Sequence, residues 1–193
     1  MNKINKIVFC FSILLLCVSC GNQNETDDGT TSAIVTNDLI IDNETVVYNN
    51  EVVNVQGNVI IKNGGVLKIE NNCQLNIIGT YDEQFSIIVS GDSKLESYDS
   101  IIQGIDYQIA IIGMAANGES PYLYFENTII TLHLGIRPLD QTIVESVNSN
   151  IEEIQLRDQS EVHISGGEEI YPVFFFENIS GSLSNLKVYE KIQ

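Results

Sequence analysis

The sequence predicts an all-β fold, a parallel β-helix (solenoid) of about five to six rungs. Three observations carry that expectation. A degenerate repeat runs along the body, an asparagine or aspartate recurs at one position of each copy, and short apolar strands alternate with turn formers. No segment carries the apolar period of an amphipathic helix.

The repeat starts at Leu67-Lys68-Ile69-Glu70-Asn71. Leu95-Glu96-Ser97-Tyr98-Asp99 follows 28 residues on, and Leu123-Tyr124-Phe125-Glu126-Asn127 another 28. Two looser copies extend it, Val144-Glu145-Ser146-Val147-Asn148 after 21 residues and Phe174-Phe175-Phe176-Glu177-Asn178 after 30. Side chains alternate along a strand, so the first and third residues of each copy share a face. The first column (Leu67, Leu95, Leu123, Val144, Phe174) is apolar and is expected inside. The second (Lys68, Glu96, Tyr124, Glu145, Phe175) is mostly polar and is expected outside. The fifth is Asn71, Asp99, Asn127, Asn148 and Asn178. These residues tolerate left-handed backbone and hydrogen-bond their neighbours above and below, so they are expected to form a structural ladder.

Within one coil the apolar strands are Val52–Val55, Val59–Ile61, Val66–Ile69 and Leu75–Ile78. Gln56-Gly57-Asn58, Asn63-Gly64-Gly65 and Asn71-Asn72 separate them, all good turn formers. Three such strands close one triangular rung. The alternative from the same short strands is an antiparallel β-sandwich; the registered asparagine column favours the solenoid.

This pattern resembles the pectin-lyase-like family of right-handed parallel β-helices, over residues 38–193. The resemblance implies a right-handed coil, with Asp38 to Tyr48 as an N-terminal cap. Gly181 to Gln193 must then cap the other end, unless that end pairs with another chain. The family's catalytic motifs do not carry over. Asn127-Thr128 is followed by Ile129, His163 lies between Val162 and Ile164, and Arg137 is followed directly by Pro138 with no second arginine in place. Neither the polygalacturonase nor the pectate-lyase set can be assembled.

The N-terminus reads as an export signal. Residues 1–19 hold Lys3 and Lys6, an apolar run from Ile7 to Val18, and Ser19. That run is shorter than the roughly 20 residues a membrane-spanning helix needs. Cys17-Val18-Ser19-Cys20 resembles the lipobox of bacterial lipoproteins, with cysteine where leucine is usual at position 17. The resemblance implies acylation of Cys20 (palmitate among the chains), cleavage before it, and a lipid-anchored place in the cell envelope. In a diderm that place is the outer membrane. Residues 20–37 are polar and aperiodic, and are expected to be a flexible tether before a domain spanning 38–193.

With nine basic against 26 acidic residues the net charge is −17 at pH 7, and loss of the leader removes two of the lysines. Such a surface repels nucleic acid and anionic polysaccharide. Neutral glycans, a surface protein or divalent cations are left as partners. Cys73 is the one cysteine of the body and is expected to be buried and inert. No cofactor motif is present. Glu152, Glu153, Glu168 and Glu169 are the candidates for calcium, against a reading as solvated turns. His133, Arg137 and Asp140 are the candidate acid/base group, against a reading as a polar corner.

Outward columns place Tyr122, Tyr124 and Phe175 on one sheet face as candidate ligand contacts. The alternative is that the 104–120 and 135–140 segments cover them. The leading functional expectation is a non-catalytic, lipid-anchored surface module for binding or adhesion, with a glycan or envelope partner. A polysaccharide lyase or glycoside hydrolase of this fold is one alternative. A truncated or assembly-dependent β-helix unit is the other.

Overall fold

A computed structural model of the chain describes residues 31–79, 85–105, 109–156, 159–167, 170–175 and 180–184. Among these it has nineteen strands and no helix. The first turn of chain is β1 (Thr31–Val35), β2 (Leu39–Asp42) and β3 (Thr45–Asn49). The second is β4 (Glu51–Val55), β5 (Val59–Lys62) and β6 (Val66–Glu70). The third is β7 (Gln74–Ile78), β8 (Ile87–Ser90) and β9 (Lys94–Tyr98). The fourth is β10 (Ile101–Ile105), β11 (Ile111–Met114) and β12 (Tyr122–Glu126). Then come β13 (Ile129–Thr131), β14 (Ile136–Pro138) and β15 (Ile143–Val147). β16 (Asn150–Leu156), β17 (Glu161–Ser165), β18 (Ile170–Phe175) and β19 (Ser180–Ser184) finish the described chain.

Strands three apart pair in parallel: β1 with β4, β4 with β7, β2 with β5, β3 with β6. That is the pairing a chain makes when it coils with three strands to the turn, and it is compatible with a parallel β-helix. The antiparallel sandwich is thereby excluded for the described strands. One seven-stranded sheet runs β19-β17-β15-β12-β9-β6-β3. A twelve-stranded sheet carries the other two series, β1-β4-β7-β10-β13 and β14-β11-β8-β5-β2. β16 joins them, pairing with β13 through Asn150 and Ile151 and with β14 through Ile154.

Burial alternates as the pleat requires. In the smaller sheet Leu67, Leu95, Leu123, Val144 and Val162 are buried, one above another. Two residues further along the same strands lie Ile69, Ser97, Phe125, Ser146 and Ile164, also buried. Phe125, the largest fully buried side chain among the described residues, has Ser97 below and Ser146 above in register. A small residue on each side is what lets the ring lie flat in a stack whose layers are only about 4.8 Å apart.

The corner after this sheet is the most regular feature. Asn50, Asn71, Asp99, Asn127 and Asn148 all take φ between 46° and 53°, and Gly166 takes 70°. Backbone N–H groups of Asn50, Asp99, Asn127, Asn148 and Gly166 donate to carbonyls of Glu70, Glu126, Val147, Ser165 and Ser184 in the next turn. Asn127 Nδ2 donates to Asp99 Oδ1 at 2.9 Å, tying two turns through side chains. At Gly166 the Asn148 carboxamide fills the space a side chain would need. The following residues brace the bend: the hydroxyls of Ser100, Thr128 and Ser149 donate back to the carbonyls of Tyr98, Glu126 and Val147.

Two sequence-based expectations change. Phe174-Phe175 belong to β18, which pairs with β16 in the larger sheet, so this fifth copy is out of column. Asn178 lies outside the described residues. The true continuations above β15 are β17 and β19. They escaped notice because Gly166 replaces asparagine at the corner, a position where glycine does the same work without a Cβ. Second, strand structure begins inside the expected tether, since Thr31–Val35 pairs with Glu51–Val55. Pairing with a preformed neighbour overrides a weak local pattern. Asp38 to Tyr48 therefore supplies β2 and β3 of a complete first turn in place of a separate cap. The smaller sheet stacks seven strands. At its first end, β3 carries the same signature as Val46-Val47-Tyr48-Asn49-Asn50, in register with Leu67 to Asn71.

Truncating Phe125 to alanine leaves a cavity between two serines that cannot fill it, and should cost about 3–5 kcal/mol of unfolding free energy. Ser146→Ala should be neutral or stabilising by up to about 1 kcal/mol, because the Ser146 hydroxyl is buried with no hydrogen-bond partner among the described residues. Urea unfolding midpoints of the two variants test both, and a larger loss for Ser146→Ala would contradict this packing.

Candidate ligand-binding face

The outward side chains of β9 and β12 gather three tyrosines. Tyr98 and Tyr124 have ring centroids 5.3 Å apart, and Tyr122 and Tyr124 lie 6.2 Å apart with planes inclined by 23°. The strand pleat puts Tyr122 and Tyr124 on one face of β12, and register places Glu96 of β9 opposite Tyr124. Tyr98 stands diagonally across from Tyr124, two residues beyond Glu96, within the reach of aromatic side chains on neighbouring strands.

Each phenol is held by a carboxylate. The Tyr122 hydroxyl donates to Glu145 Oε2 at 2.7 Å, Tyr124 to Glu126 Oε2 at 3.0 Å, and Tyr98 to Glu96 Oε2 at 3.5 Å. Lys68 reaches Glu96 at 2.8 Å, and the Lys94 ammonium stands 5.8 Å from the centre of the Tyr122 ring. Partial burial, then the hydrogen-bonded carboxylate, pushes the Tyr122 phenol well above the ordinary tyrosine range and that of Tyr124 to about 12. Tyr98 moves the same way, first through burial and then through the charge of Glu96. The hydrogen bond from Lys68 to Glu96 raises the lysine, keeping it cationic.

The face therefore offers flat rings with fixed orientations, bordered by carboxylates. Each carboxylate holds its tyrosine through one oxygen, and a carboxylate accepts through two. Such a surface suits a ligand that brings apolar ring faces and hydroxyl or amine donors. Of the 104–120 and 135–140 segments, the alternative cover for Tyr122 and Tyr124, the parts Ile111–Met114 and Ile136–Pro138 form β11 and β14 of the larger sheet. Tyr98, Glu96, Glu126 and Glu145 were not singled out as contacts from the sequence. The available signal was parity: Tyr98 and Glu96 lie two apart on one strand, and so do Tyr124 and Glu126.

The other candidate residues lie away from β9 and β12, on β13, β14, β16 and the bends between them. Exposed His133 lies in the bend after β13, Arg137 points outward from β14, and Asp140 sits at the next corner with φ 52°. Arg137 and Asp140 form no salt bridge, and the left-handed bend gives Asp140 a structural place. Glu152 is exposed on β16, and Glu153 accepts a hydrogen bond from Gln155 Nε2. No cluster of three metal-ligating side chains occurs among the described residues. Cys73 is fully buried, and burial lifts its thiol to about 11. Cys20, Glu168 and Glu169 lie outside the described residues, as does the side chain of Phe175. Searches against family models, curated proteins and solved structures find no match to this chain.

A spectrophotometric titration of tyrosinate absorbance tests the phenol environments. Tyr98, Tyr122 and Tyr124 keep their protons to higher pH folded than unfolded. The contribution of Tyr124 to stability is thus complete below pH 10 and is lost as the pH rises toward about 12, and Tyr98 and Tyr122 act in the same direction. Tyr122→Phe and Tyr124→Phe should each delete one late-titrating phenol; deletion of a phenol titrating near pH 10 would contradict the assignment.

Proposed function

We propose that the protein is a cell-envelope binding module, a right-handed parallel β-helix tethered by lipid on Cys20, that takes a neutral glycan on its tyrosine face. The observation that carries this reading is the fixed cluster of Tyr98, Tyr122 and Tyr124 on an outward sheet surface, each phenol locked by a carboxylate. Rings held in place lose little entropy on binding, which favours stacking against sugar rings. The right hand follows from the strong bias of parallel crossover connections. The lipid rests on the lipobox-like Cys17-Val18-Ser19-Cys20 and on the short apolar run before it.

Charge selects the glycan class. With a net charge of −17, an unbridged uronate or sulfated chain is repelled, while hydroxyl donors meet carboxylate acceptors. Calcium plays no part in this reading.

Affinity electrophoresis of the full chain through neutral and anionic polysaccharides tests the face. Each ring is worth about 0.5–1.5 kcal/mol, so Tyr122→Ser with Tyr124→Ser should weaken retention by a neutral glycan about tenfold. Unchanged retention in the double variant, or stronger retention by the anionic chains, refutes the reading. The anchor has its own test. In bacterial cells Cys20→Ser should abolish incorporation of labelled palmitate and release the protein from the membrane fraction; persistent labelling would place the lipid elsewhere.

A further inference from the structure

We propose that Ser182, His163 and Glu161 form an acyl-transfer relay on the last two strands of the smaller sheet, with Ser182 Oγ as the nucleophile toward short acyl esters. The parallel register puts Ser182 of β19 directly opposite His163 of β17, and Glu161 lies two residues before His163 on the same face. His163 Nδ1 is 2.9 Å from Ser182 Oγ, and His163 Nε2 is 2.9 Å from Glu161 Oε1. A carboxylate at Nε2 calls for the ring proton there, which leaves the Nδ1 lone pair to accept from the serine hydroxyl. A hydroxyl hydrogen-bonded to a base, with the base oriented by a third group, is the arrangement that activates a serine. The usual ring nitrogens are exchanged, with serine on Nδ1 and acid on Nε2, and the proton path is the same.

The site is open to solvent. The His163 and Glu161 side chains are 41% and 50% exposed, and Ser182 is exposed, so an ester reaches the hydroxyl without any movement of the chain. The Ser180 N–H bonds to the Ser160 carbonyl, which by strand alternation turns the N–H groups of Gly181 and Leu183 toward the other edge of β19. β19 ends its sheet among the described residues, and the Leu183 N–H, next after the nucleophile, is the backbone donor available to a developing oxyanion. An open sheet face offers no slot for a long chain, so the acyl group is small, of the acetyl class.

The reaction balances on these groups and water. The bond from Ser182 Oγ to the acyl carbon forms as its proton passes to His163 Nδ1. The carbon–oxygen bond to the alcohol breaks, and the alcohol leaves with that proton. Water then attacks the acyl carbon, its proton passes through Nδ1 to Ser182 Oγ, and the carboxylic acid departs. Glu161 is a positioning residue that holds the ring and balances the imidazolium.

Labelling the full chain with a fluorophosphonate, followed by peptide mass mapping, tests the relay without any glycan. Ser182 should become phosphonylated with release of fluoride, and Ser182→Ala should lose the label. His163→Gln keeps an amide between the two neighbours but cannot take the proton, and should slow labelling about 100-fold. Glu161→Ala should slow it too, with partial rescue in Glu161→Gln, whose amide oxygen can still accept the Nε2 proton. Hydrolysis of p-nitrophenyl acetate should follow the same order. No label on Ser182, or equal rates in wild type and His163→Gln, overturns the proposal. None of the three residues belongs to the tyrosine cluster, so that result would leave the binding face standing.

Discussion

The structure depends on a left-handed bend placed at the same point of every turn. An L-residue pays roughly 1–2 kcal/mol for that backbone, and asparagine and aspartate pay least because their short side chains can bond locally. Six stacked bends therefore need a compensating interaction at each level. The ladder supplies it, since the bent residue's N–H donates in most levels to a carbonyl of the next turn. Once the bends are superposed, every strand of the smaller sheet starts in register with the one below. A slip by one residue would turn the leucine column out and the glutamates in.

Register then governs packing. The inward column holding Ile69, Ser97, Phe125, Ser146 and Ile164 alternates in size because layers this close cannot all carry large side chains. Glycine at position 65 answers a related constraint, as a Cβ there would stand 2.5 Å from the Ile41 carbonyl oxygen of the turn below. Ser100, Thr128 and Ser149 bury their hydroxyls beside the bend and satisfy carbonyls that the turn would otherwise strand.

The same registration builds the outer surface, with different consequences. Inside, columns of like residues improve packing; outside, a column of like charges would repel. The outward column of the smaller sheet mixes signs and types instead, running Lys68, Glu96, Tyr124, Glu145, His163 and Ser182. Lysine meets glutamate at one level, and tyrosine separates Glu96 from Glu145 at another. The tyrosines thus act as spacers between carboxylates, and partial burial beside those carboxylates accounts for their phenols holding their protons.

What the sequence determined by itself was the class of fold and the inward and outward sense of most strands. Alternation within a strand and recurrence between strands are local and additive, so Leu67, Leu95, Leu123 and Val144 announce a shared interior without any coordinates. Recurrence failed where composition imitated it: Phe174 to Asn178 matched the pattern, yet β18 belongs to the other sheet, because a strand's partner is set by where the preceding turn delivers it. The meeting of Tyr98 with Tyr124, and of Ser182 with His163, was decided only by the tertiary structure. Those pairs lie 26 and 19 residues apart in the chain, and only the length of each intervening coil brings them side by side.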